Sequence, residues 1–147
     1  MNREIIFKAK RKDWRNLPKE KWWVEGYLFD DGMTKPKHYF IGGIIVKPYE
    51  GTACDEWDVV GIDFCEIDPD TLCQYTGLTD KNGNKIWEND ILNCGMKLRV
   101  SWHTFKASWV LSKKGWMYNH FFGESVEPED VEVIGNIFDN ADLLEVE

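Results

Sequence analysis

The chain has 147 residues, with 18 Lys and Arg against 26 Asp and Glu, so its formal charge is −8. Hydrophobic types make 43% and charged types 30%, a globular balance that excludes disordered and fibrous classes. The main apolar run, Phe40 to Val46, is far short of the ~20 residues that a membrane-spanning helix needs.

The length suits one domain. Met1-Asn2-Arg3-Glu4 has no apolar stretch behind a basic start, so no secretory signal is expected and the cytosol is the expected compartment.

Period-two patterning dominates the chain. Ile5, Phe7 and Ala9 alternate with Glu4, Lys8 and Lys10 and predict an N-terminal strand. Lys12 to Lys21 is polar, contains Pro18, and reads as a loop or a short helical turn. Trp22 to Phe29 and His38 to Val46 are rich in aromatic and β-branched residues. With Asp30 to Pro36 between them they predict a hairpin with a long loop. Pro48 to Glu56 reads as loop, and Trp57 to Ile67 as a strand with a bulge at Gly61. Asp68 is placed to cap a turn that opens with Pro69.

Asn82-Gly83, between Leu72–Leu78 and Lys85–Ile91, predicts a tight hairpin turn, because both residues tolerate positive φ. Met96, Leu98, Val100 and Trp102 alternate with Lys97, Arg99 and Ser101. After a turn near His103-Thr104, Phe105, Ala107, Trp109 and Leu111 alternate with Lys106 and Ser108. Each arm therefore has one buried and one wet face. Trp116 to Phe121 forms a further strand candidate. Val131, Val133, Ile134 and Ile137 form a last one, broken at Gly135. Asp139 or Asn140 then caps a short helix through Leu144. A mainly β, β-rich α+β fold follows, a barrel or sandwich of short strands.

The chemistry-bearing patterns are sparse. Cys54, Cys65, Cys73 and Cys94 form no C-x-x-C pair, and His38, His103 and His120 lie away from them. Structural zinc needs shorter ligand spacing, so the thiols read as small core hydrophobes and no metal or cofactor is expected. Phosphate-loop, dinucleotide, H-E-x-x-H and G-x-S-x-G patterns are absent. Asp80 to Asn84 begins like a calcium loop, but Lys85 and Ile91 occupy the positions that need Gly and Glu.

Glu88 with Asp90, and Asp63 with Glu66, are acid pairs near apolar strands, and His103 sits at a turn. They make a small hydrolase using Glu88, Asp90 and His103 the last-ranked reading. Lys8, Lys10, Arg11, Lys12 and Arg15 are the one basic cluster, and such a run is usually solvated surface. Trp102, Phe105, Trp109, Trp116 and Tyr118 could stack bases, but alternating aromatics in a β chain are more often core. With a charge of −8, nucleic acid is not the expected partner, and a nucleic-acid-binding small barrel using the Lys8–Arg15 patch is the second-ranked reading.

The stretch Gln74-Tyr75-Thr76-Gly77-Leu78-Thr79-Asp80-Lys81-Asn82-Gly83 resembles the YopX-like family of phage and prophage proteins. Lys85-Ile86-Trp87-Glu88-Asn89-Asp90-Ile91 continues the match to a family pattern I-[YF]-E-G-D-[IV], with Asn89 where glycine is usual. Positive φ is expected there, which Asn tolerates. Arg3 to Ala9, Gly26 to Leu28, Tyr39 to Ile41, Ile67 to Leu72 and Glu132 to Asn140 match further pieces in order.

The resemblance implies a single YopX-like domain. Its N-terminal β hairpin region would be 1–73, and an SH3-like barrel region with a short C-terminal helix would be 74–147. It also implies self-association, and it carries over no catalytic residue. Gln74, Tyr75, Thr76, Asp80, Trp87 and Asp90 are the candidate binding positions on the shared motif. The expected function is a non-enzymatic phage or prophage accessory protein in the bacterial cytosol. It would contact itself and an unidentified host or phage protein, with no cofactor and no membrane.

Overall fold

The computed structural model describes residues 3–32, 35, 37–48, 57–115, 120–124 and 126–145, with backbone alone for 44–48 and 57–62. The chain divides into two compact units, 6–72 and 73–147 with 1–5.

In the first unit, β1 (Phe7–Lys10), β2 (Trp23–Asp30), β3 (Tyr39–Pro48) and β4 (Trp57–Glu66) pair antiparallel in chain order. Alternation sends Ala9, Ile41 and Ile67 into a core with Phe7, Val24, Leu28, Tyr39 and Leu72. Lys12 to Lys21 becomes two 3-10 turns, Trp14–Asn16 and Lys19–Lys21. The bulge on β4 falls beside Gly61: Gly61 pairs with Ile45 and Val59 with Val46, so Val60 is the extra residue. Asp68 caps the turn Pro69–Thr71 by accepting the Asp70 N–H at 3.1 Å. The loop expected from Pro48 to Glu56 lies, beyond Pro48, outside the described residues.

In the second unit, β5 (Cys73–Thr79) and β6 (Lys85–Trp87) form a hairpin. β7 (Asp90–Asn93), β8 (Lys97–His103), β9 (Ser108–Ser112), β10 (His120–Phe121) and β11 (Glu132–Asn136) form an antiparallel sheet in the order β10-β9-β8-β7-β11. Ile86, Leu92, Leu98, Val100, Leu111 and Val131 build its core. The sheet has two open edges among the described residues, so no closed barrel forms. The strand expected from Trp116 is described only over His120–Phe121.

Three local expectations are corrected. The turn at Asn82-Gly83 is longer than two residues, since the Asp80 N–H bonds the Asn84 carbonyl and the Gly83 N–H bonds the Asp80 carbonyl. Only Gly83, at φ 81°, is left-handed, which suits a three-residue loop closed by a glycine bulge. The turn after β8 spans Thr104 to Ala107 and lifts Phe105 out of the strand to 98% exposure. Trp102 is exposed as well, so the core reading fails for these two aromatics. The C-terminal helix is a single 3-10 turn, Ala141–Leu144. Asn140 does not cap it, because its side chain accepts the Asn136 N–H instead. Every helical segment among the described residues is a 3-10 turn.

Candidate functional site

The shared motif folds as a bonded scaffold. Gln74 donates its N–H to the Glu88 carboxylate at 3.2 Å, and its carbonyl accepts the Glu88 N–H at 2.9 Å. Tyr75 pairs with Trp87 across the hairpin. Both are buried, with ring centres 5.4 Å apart. The buried Thr76 hydroxyl donates to the Ile86 carbonyl at 2.7 Å and accepts the Leu78 N–H at 3.2 Å. Asp90 is buried and accepts the Trp87 N–H at 2.8 Å.

Between Trp87 and Asp90, Asn89 holds φ at 69°, as expected where the family has glycine. Its amide oxygen accepts from Arg99 at 2.8 Å, and its amide nitrogen donates to the Cys73 sulfur at 3.6 Å. Its backbone N–H bonds the Val100 carbonyl and its carbonyl accepts the Ile137 N–H. One left-handed residue thereby ties β5, β8 and the segment after β11 together.

Asp80 accepts three main-chain N–H groups. It is buried, and one carboxylate oxygen accepts the N–H groups of Asn82 and Asn84, each at 2.9 Å. The other oxygen accepts the Val133 N–H at 2.9 Å. Burial, the largest single influence, pushes its pKa up. The bonds from Val133, Asn84 and Asn82, with the Asn84 side chain, outweigh it together and hold the carboxyl below its ordinary value. These six candidate positions thus cluster on one hairpin and its neighbours.

Each member of the acid–histidine set has a bond to main chain. Glu88 accepts from the Gln74 N–H, Asp90 from the Trp87 N–H, and the His103 Nδ1 from the Lys106 N–H at 3.2 Å. Each of these bonds runs to backbone.

In the basic cluster of the first unit, Lys12 and Arg15 are exposed as the solvated reading expects, and Lys10 departs from it. The Lys10 side chain is buried, its Nζ 4.0 Å from the Trp14 ring centre, 4.4 Å from that of Trp22 and 5.6 Å from that of Trp23. Lys8 stacks over Trp23 and Arg15 over Trp14. Arg11 donates to the Lys21 carbonyl and to the Cys65 sulfur, both at 3.0 Å. Lys12 pairs with Glu66 at 3.0 Å, and the His38 Nδ1 lies 2.6 Å from the same Glu66 oxygen. The bond from His38, then that from Lys12, holds the Glu66 carboxyl below its ordinary value against a smaller upward push from burial.

A second surface was not singled out in the sequence. Leu28 and Ile41 pack inward, so Tyr27 and Phe29, the residues either side of Leu28 on β2, face outward. Phe64 on β4 lies opposite Gly42, which lies opposite Tyr27. The three rings are 57%, 45% and 43% exposed in chain order, and those of Phe29 and Phe64 meet edge to face at 4.8 Å. Gly42 has no side chain to keep those rings apart, and a Cβ there would run into the Asp63 carbonyl. Only the apolar character of both parities in Tyr27-Leu28-Phe29 could have pointed to this face.

The chain is thus a mainly β protein of antiparallel sheets and short 3-10 turns, with a bonded motif hairpin in one unit and an outward aromatic face in the other. It belongs to the YopX family, whose model, described as YopX protein, matches residues 21–145. Among solved structures it is similar to the crystal structure of protein EF1440 from Enterococcus faecalis. The identity is 21%, the match covers 96% of this chain and 98% of that one, and the TM-score is 0.48. No curated protein matches it. No helix among the described residues is long and apolar enough to cross a membrane.

Proposed function

We propose that the protein is a non-enzymatic accessory factor of phage or prophage origin. In this reading it acts in the bacterial cytosol through protein contacts, first of all with copies of itself. The carrying observation is the outward face of Tyr27, Phe29 and Phe64. Contiguous exposed aromatics mark interaction sites on soluble proteins, and Tyr and Phe are enriched in interface cores. A flat sheet face meets its own copy about 10 Å away across a two-fold axis, burying the same rings from both sides. The order β10-β9-β8-β7-β11, a meander whose last strand returns beside its first, supports an opened SH3-like barrel in the second unit.

The backbone bonds of Glu88, Asp90 and His103 support the non-enzymatic part. The commitment of Lys10, Arg11, Lys12 and Arg15 to rings and to local partners weighs against a phosphate-binding patch.

Light scattering on the eluting protein, from low to high micromolar concentration, tests the reading. A dimer or larger species is expected for the unsubstituted chain. The double variant F29D/F64D is expected to be a monomer with the same circular dichroism. A strict monomer at high micromolar concentration, or a double variant that assembles unchanged, overturns it.

A further inference from the structure

A cleft of about 740 Å³ opens on the second unit, in a place the shared motif does not mark. Its origin is the alternation of β8. Leu98 and Val100 enter the core, so Arg99 between them turns to the opposite face, beside its cross-strand partner Ser112 on β9. Lys113 and Lys114 follow Ser112 along the rim. The far wall is apolar, formed by Ile137 with Ala141 and Leu144 of the last 3-10 turn. Among the described residues, Arg99, Lys113, Lys114 and the carboxylate of Glu145 are the charged groups that line it.

Arg99 is held in place. One terminal nitrogen donates to Asn89 at 2.8 Å, and Asn89 is itself locked by backbone bonds to Val100 and Ile137. The Arg99 Nε–H is shielded from solvent and has no hydrogen-bond partner among the described residues. Buried donors are nearly always paired, so an unmatched guanidinium N–H in a cationic cleft points to an acceptor brought by a ligand.

We propose that this cleft binds a small organic oxyanion, a carboxylate or phosphate monoester carrying an apolar body. The oxyanion accepts from Arg99, with Lys113 and Lys114 adding charge at the rim. The body lies against Ile137, Ala141 and Leu144. The volume is that of pockets for small organic ligands, roughly 300–1,000 Å³, and a bare phosphate leaves most of it unfilled. The cleft makes no use of the aromatic face, so this site and self-association stand or fall separately.

The test is a titration of the full chain with phenyl phosphate, benzoate and inorganic phosphate in separate arms, followed by ¹H–¹⁵N spectra that include the arginine Nε–H region. Saturable shifts are expected at the Arg99 Nε–H and at the amides of Ser112 to Lys114 and Ala141 to Leu144. The tighter of the two aromatic anions identifies the oxyanion, and both should bind about ten-fold more tightly than inorganic phosphate because of the buried ring. The variant K113Q/K114Q should bind about five-fold more weakly at unchanged melting temperature. No shift with either aromatic anion, inorganic phosphate binding as tightly as they do, or equal affinity in K113Q/K114Q would each overturn the proposal.

Discussion

In the hairpin of β5 and β6 the distinctive residues turn inward or bind backbone. Tyr75, Thr76 and Trp87 are buried, and Asp80 accepts three main-chain N–H groups. In the sheet of β2 to β4 the reverse holds, with Tyr27, Phe29 and Phe64 directed outward while their neighbours Leu28 and Ile41 fill the core. The first region carries the longest run of letters that make the family recognisable, and its side chains are bonded within the fold. The second carries shorter pieces of the same resemblance, Gly26 to Leu28 and Tyr39 to Ile41, and turns three aromatic rings outward. One region thus keeps its distinctive side chains inside the fold, and the other leaves three of them at its surface.

Substituting each region should separate the two roles. The largest effect is expected at Asp80. Replacing it with Ala takes the acceptor from three part-buried N–H groups, a loss of about 2–3 kcal/mol in urea unfolding. The native carboxyl titrates below its unfolded counterpart. Its contribution is therefore complete above the unfolded pKa of about 3.9 and fades as pH falls through the lower, folded value. D80A should accordingly show a shallower acid limb than the parent. If D80A unfolded at the parental urea midpoint while F29D/F64D lost the fold, the contrast between the two regions would be reversed.

Asn89 sharpens the comparison at intermediate size. N89A keeps a Cβ at φ 69° and loses the bonds to Arg99 and Cys73, so a loss of about 1–2 kcal/mol is expected. N89G loses the same bonds but relieves the backbone, so it should be milder, by about 0.5–1 kcal/mol. Thermal melts of the pair check this order. An N89G variant less stable than N89A would mean that a Cβ at this left-handed position is not a source of strain.

Much of this was legible in the letters, for local reasons. Clean alternation located β8 and β9, Asp68-Pro69 located a capped turn, and the glycine-like position of Asn89 forecast its left-handed backbone. What was not legible depends on distant partners. The third donor to Asp80 comes from Val133, 53 residues away. Lys10 looked like solvated surface because nothing in the run from Lys8 to Arg15 shows that Trp22 and Trp23 close over it with Trp14. The aromatic face was hidden because apolar residues on both parities of β2 erase the alternation that tells inside from outside.

The smallest expected effect lies at Glu66, where β4 ends, and it tests whether the charges around the first unit's sheet matter at all. Glu66 is held ionised by His38 and Lys12, which meet it at 2.6 and 3.0 Å. All three side chains are part-exposed, so solvent screens the pairs, and exposed pairs of this kind contribute at most about 1 kcal/mol. The sign follows from the lowered pKa: the contribution is present above the unfolded carboxyl value of about 4.3 and is lost as pH falls through the folded one. E66Q should therefore cost under about 1 kcal/mol at neutral pH, and nothing in acid where the native carboxyl is already protonated. Added salt should shrink the difference further. A pH-independent loss several times larger would mean that Glu66 supports β4 by packing rather than by charge, and that this rim belongs with the bonded scaffold of the motif hairpin.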